Sequence, residues 1–229
     1  MSKLSVLANE ITTCTLCPRL VAHREEMARV KRRAYRDWDY WGKPVPPFGD
    51  PQARLLIIGL APAAHGGNRT GRMFTGDRSG DFLYRALHET GFASQAESRA
   101  RGDGLKLTDA YITAAVRCAP PDNKPSPQEF QQCRPYLERE LDLLRGVHCV
   151  VALGKLGFDA YLGILKDRGV IAARAPFAFG HNVVYKIAGA HVLIGSYHPS
   201  QQNTSTGRLT AAMLRDVFER ARGILQSNK

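Results

Sequence analysis

Apolar residues fall along this chain in two rhythms. Unbroken runs at Arg54–Leu60, Tyr111–Val116 and Val147–Leu153 lack polar alternation, as strands buried on both faces require. Elsewhere apolar positions recur at helical spacing, over Leu4–Thr13, from Arg19 into a basic stretch, over Ser79–Thr90 and over Gly207–Leu225. In the third of these, Phe82, Leu83, Ala86 and Leu87 share one side and Gly91 supplies the stop. Ser126-Pro127-Gln128-Glu129 combines an N-cap, a proline at the first helical position and an acid in the first turn, predicting a helix to about Arg145. Another helix is expected over Gly154–Leu165. Val183–Ile187 and Ala190–Gly195 flank a glycine turn, consistent with a hairpin or a bent edge beside a fourth core strand. Strands separated by helices predict an α/β fold, with a mostly parallel four-stranded central sheet covered on both faces and an N-terminal helical segment. Residues 1–229 are expected to form one domain.

Composition narrows the setting. No run of eighteen apolar residues and no charged-then-apolar leader occurs, so neither a membrane span nor secretion is expected, and the chain is assigned to the cytoplasm. Lys and Arg outnumber Asp and Glu by 11, which makes polyanions the expected partners. The densest cationic stretch, Arg29–Arg36, is followed by Trp38, Tyr40 and Trp41. Such a segment can hold phosphates and stack on bases, or it can be a solvated helix end with an apolar anchor.

Four of the five cysteines form a C-x2-C pair, Cys14 and Cys17, and a wider pair, Cys118 and Cys133. Four thiolates complete either a zinc tetrahedron or an iron–sulfur cubane, and the site would staple the N-terminal segment to the middle of the fold. The alternative is cysteine that merely fills a core, as expected for Cys149 in its apolar run.

Ligands of parallel sheets sit beyond the carboxyl ends of the strands, and three loops fall there. The first, Gly59–Asp77, lacks the Lys-Ser/Thr ending of a P-loop and the spacing of a dinucleotide fingerprint. Its glycines can admit a planar ligand, with Phe74 either a stacking face or a core anchor, and Asp77 either a base or a helix cap. In the second loop, Asn123 either reads a pyrimidine edge or is an ordinary turn residue. In the third, His198 precedes a proline at a strand end and is either a functional imidazole or a structural cap.

Five ordered elements carry a resemblance: Gly59-Leu60-Ala61-Pro62-Ala63, Gly71-Arg72-Met73-Phe74-Thr75-Gly76-Asp77, Asn123-Lys124-Pro125, His198-Pro199-Ser200, and the four cysteines. Together they resemble the type B (family 5) uracil-DNA glycosylases over nearly the whole chain. The resemblance implies a three-layer α/β/α sandwich and a structural [4Fe–4S] cluster on Cys14, Cys17, Cys118 and Cys133. It also implies hydrolysis of the N-glycosidic bond of uracil, hypoxanthine and other deaminated or modified bases. Phe74 would then stack on an extruded base, Asn123 would read its edge, and backbone amides near Leu60 and Ala61 would add contacts. His198 would donate to the leaving base and Asp77 would orient water. Gln201, Gln202, Asn203 and Arg208 are candidate DNA contacts, double- or single-stranded, and nothing calls for more than a monomer. Sister families carry an acid or amide just after the first-strand glycine, where this chain has Leu60, Ala61, Ala63 and Ala64. That departure moves the water-orienting role to Asp77. A non-catalytic metal-cluster DNA-binding module is the alternative.

Overall fold

Leu55–Gly59 is the centre of the fold because every residue in it is apolar or glycine and every one is buried. The structure, a computed structural model, describes residues 2–227; the outermost residues of the expected domain, 1, 228 and 229, lie outside that range. Six strands form one sheet: β1 (Phe48–Gly49), β2 (Leu55–Gly59), β3 (Ala110–Ala114), β4 (Cys149–Leu153), β5 (Val183–Lys186) and β6 (Val192–Ser196). Their order is β1-β3-β2-β4-β6-β5. The four central strands run parallel, with Leu55 level with both Ala110 and Cys149, and Cys149 level with Val192. The sheet is thus mixed and six-stranded, not four-stranded, because β1 and β5 add antiparallel edges. Two-residue β1 is too short to show any periodicity, whereas β5 and β6 are the hairpin that the glycine turn foretold.

Eight helices accompany the sheet among the described residues: α1 (Lys3–Thr12), α2 (Pro18–Val30), α3 (Gly67–Thr70), α4 (Arg78–Glu89), α5 (Pro127–Leu143), α6 (Lys155–Asp167), α7 (Gln201–Ser205) and α8 (Ala211–Ser227). Alternation along the strands splits the core in two. Leu55, Ile57, Ile112, Val151 and Ile194 pack with Leu83, Leu87, Leu214, Val217 and Phe218 of α4 and α8. Leu56, Ile58, Val150, Ala152 and Leu193 face Leu137, Leu141, Phe158, Tyr161 and Leu162 of α5 and α6. Successive side chains of a strand point to opposite faces, so a strand apolar throughout needs helices on both. Cys149 is fully buried in β4, as its apolar setting requires.

The last helix begins later than its periodicity suggests. Gly207 has φ +71° and belongs to the turn after α7, and the Thr210 hydroxyl accepts from the Met213 N–H to cap α8. No helix among the described residues is long and apolar enough to cross a membrane.

Candidate active site

The connection from β2 to β3 runs through α4 on one face, while that from β3 to β4 runs through α5 on the other. The chain direction therefore switches between β2 and β4, and the crevice beyond that point is where such sheets bind ligands. Gly59 ends β2, and a Cβ there would come within 2.9 Å of the Phe74 ring. Phe74 is half-buried with φ +51°, a left-handed conformation rare for a bulky residue and a mark of backbone strain. Its ring faces that of His198, with centroids 5.8 Å apart and planes inclined by 34°. His198 follows β6 and rests on Gly154 at the end of β4, where a Cβ would stand 3.2 Å from its own. The Asn203 amide donates to the His198 carbonyl at 2.9 Å, fixing the backbone of the motif. The loops after three parallel strands thus bring Phe74 and His198 face to face.

Asp77 ends the first loop, three residues after Phe74. It is the N-cap of α4, with Oδ1 accepting from the Gly80 N–H at 2.9 Å. The other oxygen, Oδ2, lies so close to Gly66 that a Cβ there would be 1.9 Å away. The capping role is thus observed through Oδ1, while Oδ2 lies against the loop backbone at Gly66. Asn123 sits in the exposed turn after β3, with φ +56°. The Leu60 carbonyl accepts from the Val116 N–H at 2.9 Å, and the Ala61 side chain packs against the Leu20, Val116, Cys118 and Cys133 cluster.

Gln201, Gln202 and Asn203 form α7 rather than an open loop, because the Ser200 hydroxyl caps it on the Asn203 N–H. Gln201, Gln202 and Arg208 are exposed, and the Arg208 guanidinium lies 4.7 Å above the Tyr197 ring. That contact holds a cation beside His198.

Two arginines of the first loop emerge only from the structure. Arg72 is buried, and its guanidinium forks onto both Asp103 oxygens at 2.8 and 2.6 Å while donating to Thr75 Oγ1 and Ser98 Oγ. It flanks Phe74 and clamps the strained turn. Burial pushes the Asp103 carboxyl up, but the Arg72 fork and the N–H groups of Arg99, Ala100 and Leu105 outweigh it and hold it well below the usual carboxylate range.

Arg69 lies 3.9 Å from the Tyr35 ring and 4.1 Å from that of Trp38, and it donates to the His65 and Gly76 carbonyls. Two of the aromatic rings at the basic segment thus each pack one face on a loop cation, and Trp38 remains exposed. Tyr40 and Trp41 also anchor, through His65 Nδ1 at 3.1 Å and the Pro44 carbonyl at 3.0 Å. Arg32, Arg33 and Arg36 stay exposed, a surface suited to phosphates.

Burial pushes the His198 imidazole down to about 4 and the Asp77 carboxyl up, against the lowering effect of the Gly80 N–H. His198 is therefore neutral near pH 7, with one ring nitrogen donating. Between about pH 4 and pH 6.5 the unfolded chain binds the proton that folded His198 refuses, so this group removes stability as the pH falls through that window. Asp77, raised, has the opposite sign: its contribution is lost as pH rises from the ordinary carboxylate value through its raised folded value. Melting curves over this range are expected to show a shallower acid decline in His198→Ala than in wild type; parallel declines would contradict the depressed imidazole.

All four paired cysteines line one cavity, together with Leu20, Arg24 and Arg117. Arg24 Nη1 donates to Cys118 Sγ at 3.1 Å, the Arg117 N–H to Cys133 Sγ at 3.3 Å, and the Cys17 thiol to Gln132 Oε1 at 2.9 Å. Burial pushes the Cys17 thiol up to about 11 and the Cys133 thiol to about 12, and also raises Cys118. Among the described residues no group of His, Cys, Asp or Glu is arranged to hold a metal ion as it stands. The donor set nevertheless suits a thiophilic cluster: four sulfurs on one cavity, two already accepting N–H bonds, and buried cationic side chains beside them.

A mixed sheet with helices on both faces, with an aromatic and an imidazole side chain gathered at the switch point, defines an α/β protein with a candidate ligand site at the carboxyl edge of its sheet. The model of the uracil DNA glycosylase superfamily matches residues 46–222, and the chain belongs to that superfamily. Over 93% of its length it is 55% identical to the type-5 uracil-DNA glycosylase of Mycobacterium leprae, of which it covers 92%. It is 51% identical to the type-5 enzyme of Thermus thermophilus over 93% of this chain and 94% of that one. Against the type-5 enzyme of Pyrobaculum aerophilum it is 47% identical over 93% and 89% of the two chains.

Proposed function

We propose that this protein is a monofunctional uracil-DNA glycosylase that hydrolyses the N-glycosidic bond of uracil in DNA and leaves an abasic site. The observation that carries the reading is the Phe74 and His198 ring pair at the switch point, in a chain whose relatives bear that name. The reacting carbon is out of reach in a stacked duplex, so the nucleotide is extruded at a cost of a few kcal/mol. Phe74 stacks on the extruded base and Asn123 hydrogen-bonds its edge. Backbone amides near Leu60 and Ala61 add contacts. Neutral His198 donates to the base oxygen on which negative charge develops. Asp77, through the oxygen not used as a cap, orients water and offsets positive charge on the sugar. Because leaving-group stabilisation acts on any base with an oxygen there, hypoxanthine and other deaminated bases are substrates too.

Cys14, Cys17, Cys118 and Cys133 hold a [4Fe–4S] cluster, which when bound supplies a structural cross-link rather than a reacting group. The protein acts as a monomer on double- and single-stranded DNA, in the cytoplasm and at the nucleoid. Gln201, Gln202, Asn203 and Arg208 lie along the strand, with Asn203 acting through the His198 carbonyl that it holds.

Single-turnover cleavage of duplexes carrying one uracil or hypoxanthine tests the reading, with protein of verified iron content. Abasic product is expected; none from protein that binds the duplex would leave a binding module. With His198 neutral down to about pH 4, loss of rate toward acid belongs to Asp77 and is expected above the ordinary carboxylate range. A rate independent of pH throughout that range would remove Asp77 from the chemistry. Arg208→Ala is expected to lower the salt dependence of DNA binding by about one ion; an unchanged slope would mean that it meets no phosphate.

A further inference from the structure

Two arginines beside the four cysteines bury N–H groups that no protein atom accepts. Arg24 on α2 is 4% exposed and Arg117, just beyond β3, is 1% exposed. Arg24 Nη1 serves Cys118 Sγ and the Cys14 carbonyl, and Nη2 reaches exposed Glu25 at 3.8 Å, yet Nε has no partner. Arg117 Nη2 donates to Glu140 Oε2 at 2.6 Å, while its Nε and Nη1 have none. Both residues line the cysteine cavity. A buried donor left unsatisfied is costly, and more so when it is charged. Three such donors at one cavity outnumber the one unpaired carboxylate oxygen buried beside them, Glu140 Oε1.

Charge points the same way. Two buried guanidinium groups adjoin the cavity; of the buried carboxylates near it, Glu140 is paired with Arg117 through Oε2, which also accepts from the Thr113 hydroxyl, and Glu129 is paired with Arg19. The cavity is therefore electropositive and suited to an anion. An oxidised [4Fe–4S] core with four thiolates carries a net charge of about −2, and reduction by one electron makes it more negative.

Resting on the cluster reading above, we propose that Arg24 and Arg117 are hydrogen-bond donors to the sulfur atoms of the cluster and set its reduction potential. Hydrogen bonds to cluster sulfur are a recognised determinant of that potential. Donors that favour the more negative state raise it. The same contacts explain why the fold keeps two cations in a site where burial penalises charge.

The test is a mediated redox titration with dithionite as reductant, followed by EPR, on the cluster-loaded full chain. Arg117→Lys keeps a cation for Glu140 but removes the unpartnered Nε and Nη1, and Arg24→Lys likewise keeps the charge. Each is expected to retain iron and acid-labile sulfide and to lower electron affinity about tenfold, which is 59 mV for a one-electron couple. Unshifted potentials in both loaded variants would overturn the donor role while leaving the cluster in place. Wild type that takes up no iron and sulfide would overturn the cluster reading and this inference with it. Should a variant fail to hold its cluster, wild type labelled with 15N in the arginine side chains decides: pulsed EPR of the reduced cluster is expected to show guanidinium nitrogen couplings. Their absence would mean that buried water takes these donors instead.

Discussion

Changing His198 to alanine is expected to slow single-turnover release of uracil by a factor of about 10²–10³, with little loss of melting temperature near pH 7. As the glycosidic bond loosens, the base takes up negative charge, and a donor aimed at it in a desolvated site stabilises the transition state more than the ground state. Burial that holds the imidazole near 4 makes His198 a neutral donor at working pH. Its backbone is held by Asn203, Gly154 closes the space behind its Cβ, and Phe74 faces its ring. Little reorganisation then accompanies the reaction. His198→Asn, which restores an N–H donor on a shorter stem, is expected to recover part of the rate. Equal single-turnover rates in wild type and His198→Ala would remove this residue from the chemistry.

What could be read from residues alone follows the length scale of each feature. The apolar runs that became β2 and β4 are legible because burial on both faces leaves no polar position. The N-cap at Ser126, with Pro127 at the first helical position, forms as its sequence foretells, and Glu129 completes it as a capping box. Two-residue β1, four-residue α3 and five-residue α7 are shorter than the window in which periodicity can register. Gly207, placed at a helix start by periodicity, is instead a left-handed turn residue. At the site, Phe74, Asp77 and His198 stood out because loops at strand ends are where side chains unsuited to a core collect. Arg72 did not, since its partner Asp103 lies 31 residues away and local spacing cannot announce such a pair. Beside the basic segment the residues left two readings open, base stacking or an apolar anchor, because the Arg69 that packs on Tyr35 and Trp38 comes from a loop about thirty residues on.

Asp103→Ala is expected to cost about 3–5 kcal/mol of folding stability, because it leaves the Arg72 guanidinium buried without its counter-charge. Arg72 is 4% exposed and the Asp103 side chain 14%, and Asp103 also accepts from three backbone N–H groups, so solvent replaces the carboxylate only in part. Urea unfolding should show a lower midpoint at unchanged slope; a loss under about 1 kcal/mol would mean that the pair is dispensable. Stability and positioning are then separable. Replacing both partners by uncharged residues, Arg72→Met with Asp103→Asn, removes the stranded charge and keeps an acceptor for those N–H groups, and removing both charges of a pair is often neutral for stability. Uracil release is not expected to return with it. Thr75 and Ser98 would still lack the guanidinium that ties them together, and the left-handed backbone at Phe74 would lose the clamp that offsets its strain. A stable double variant with wild-type activity would show that Arg72 serves the fold alone; a stable and slow one would show that the buried pair exists to hold Phe74 against His198.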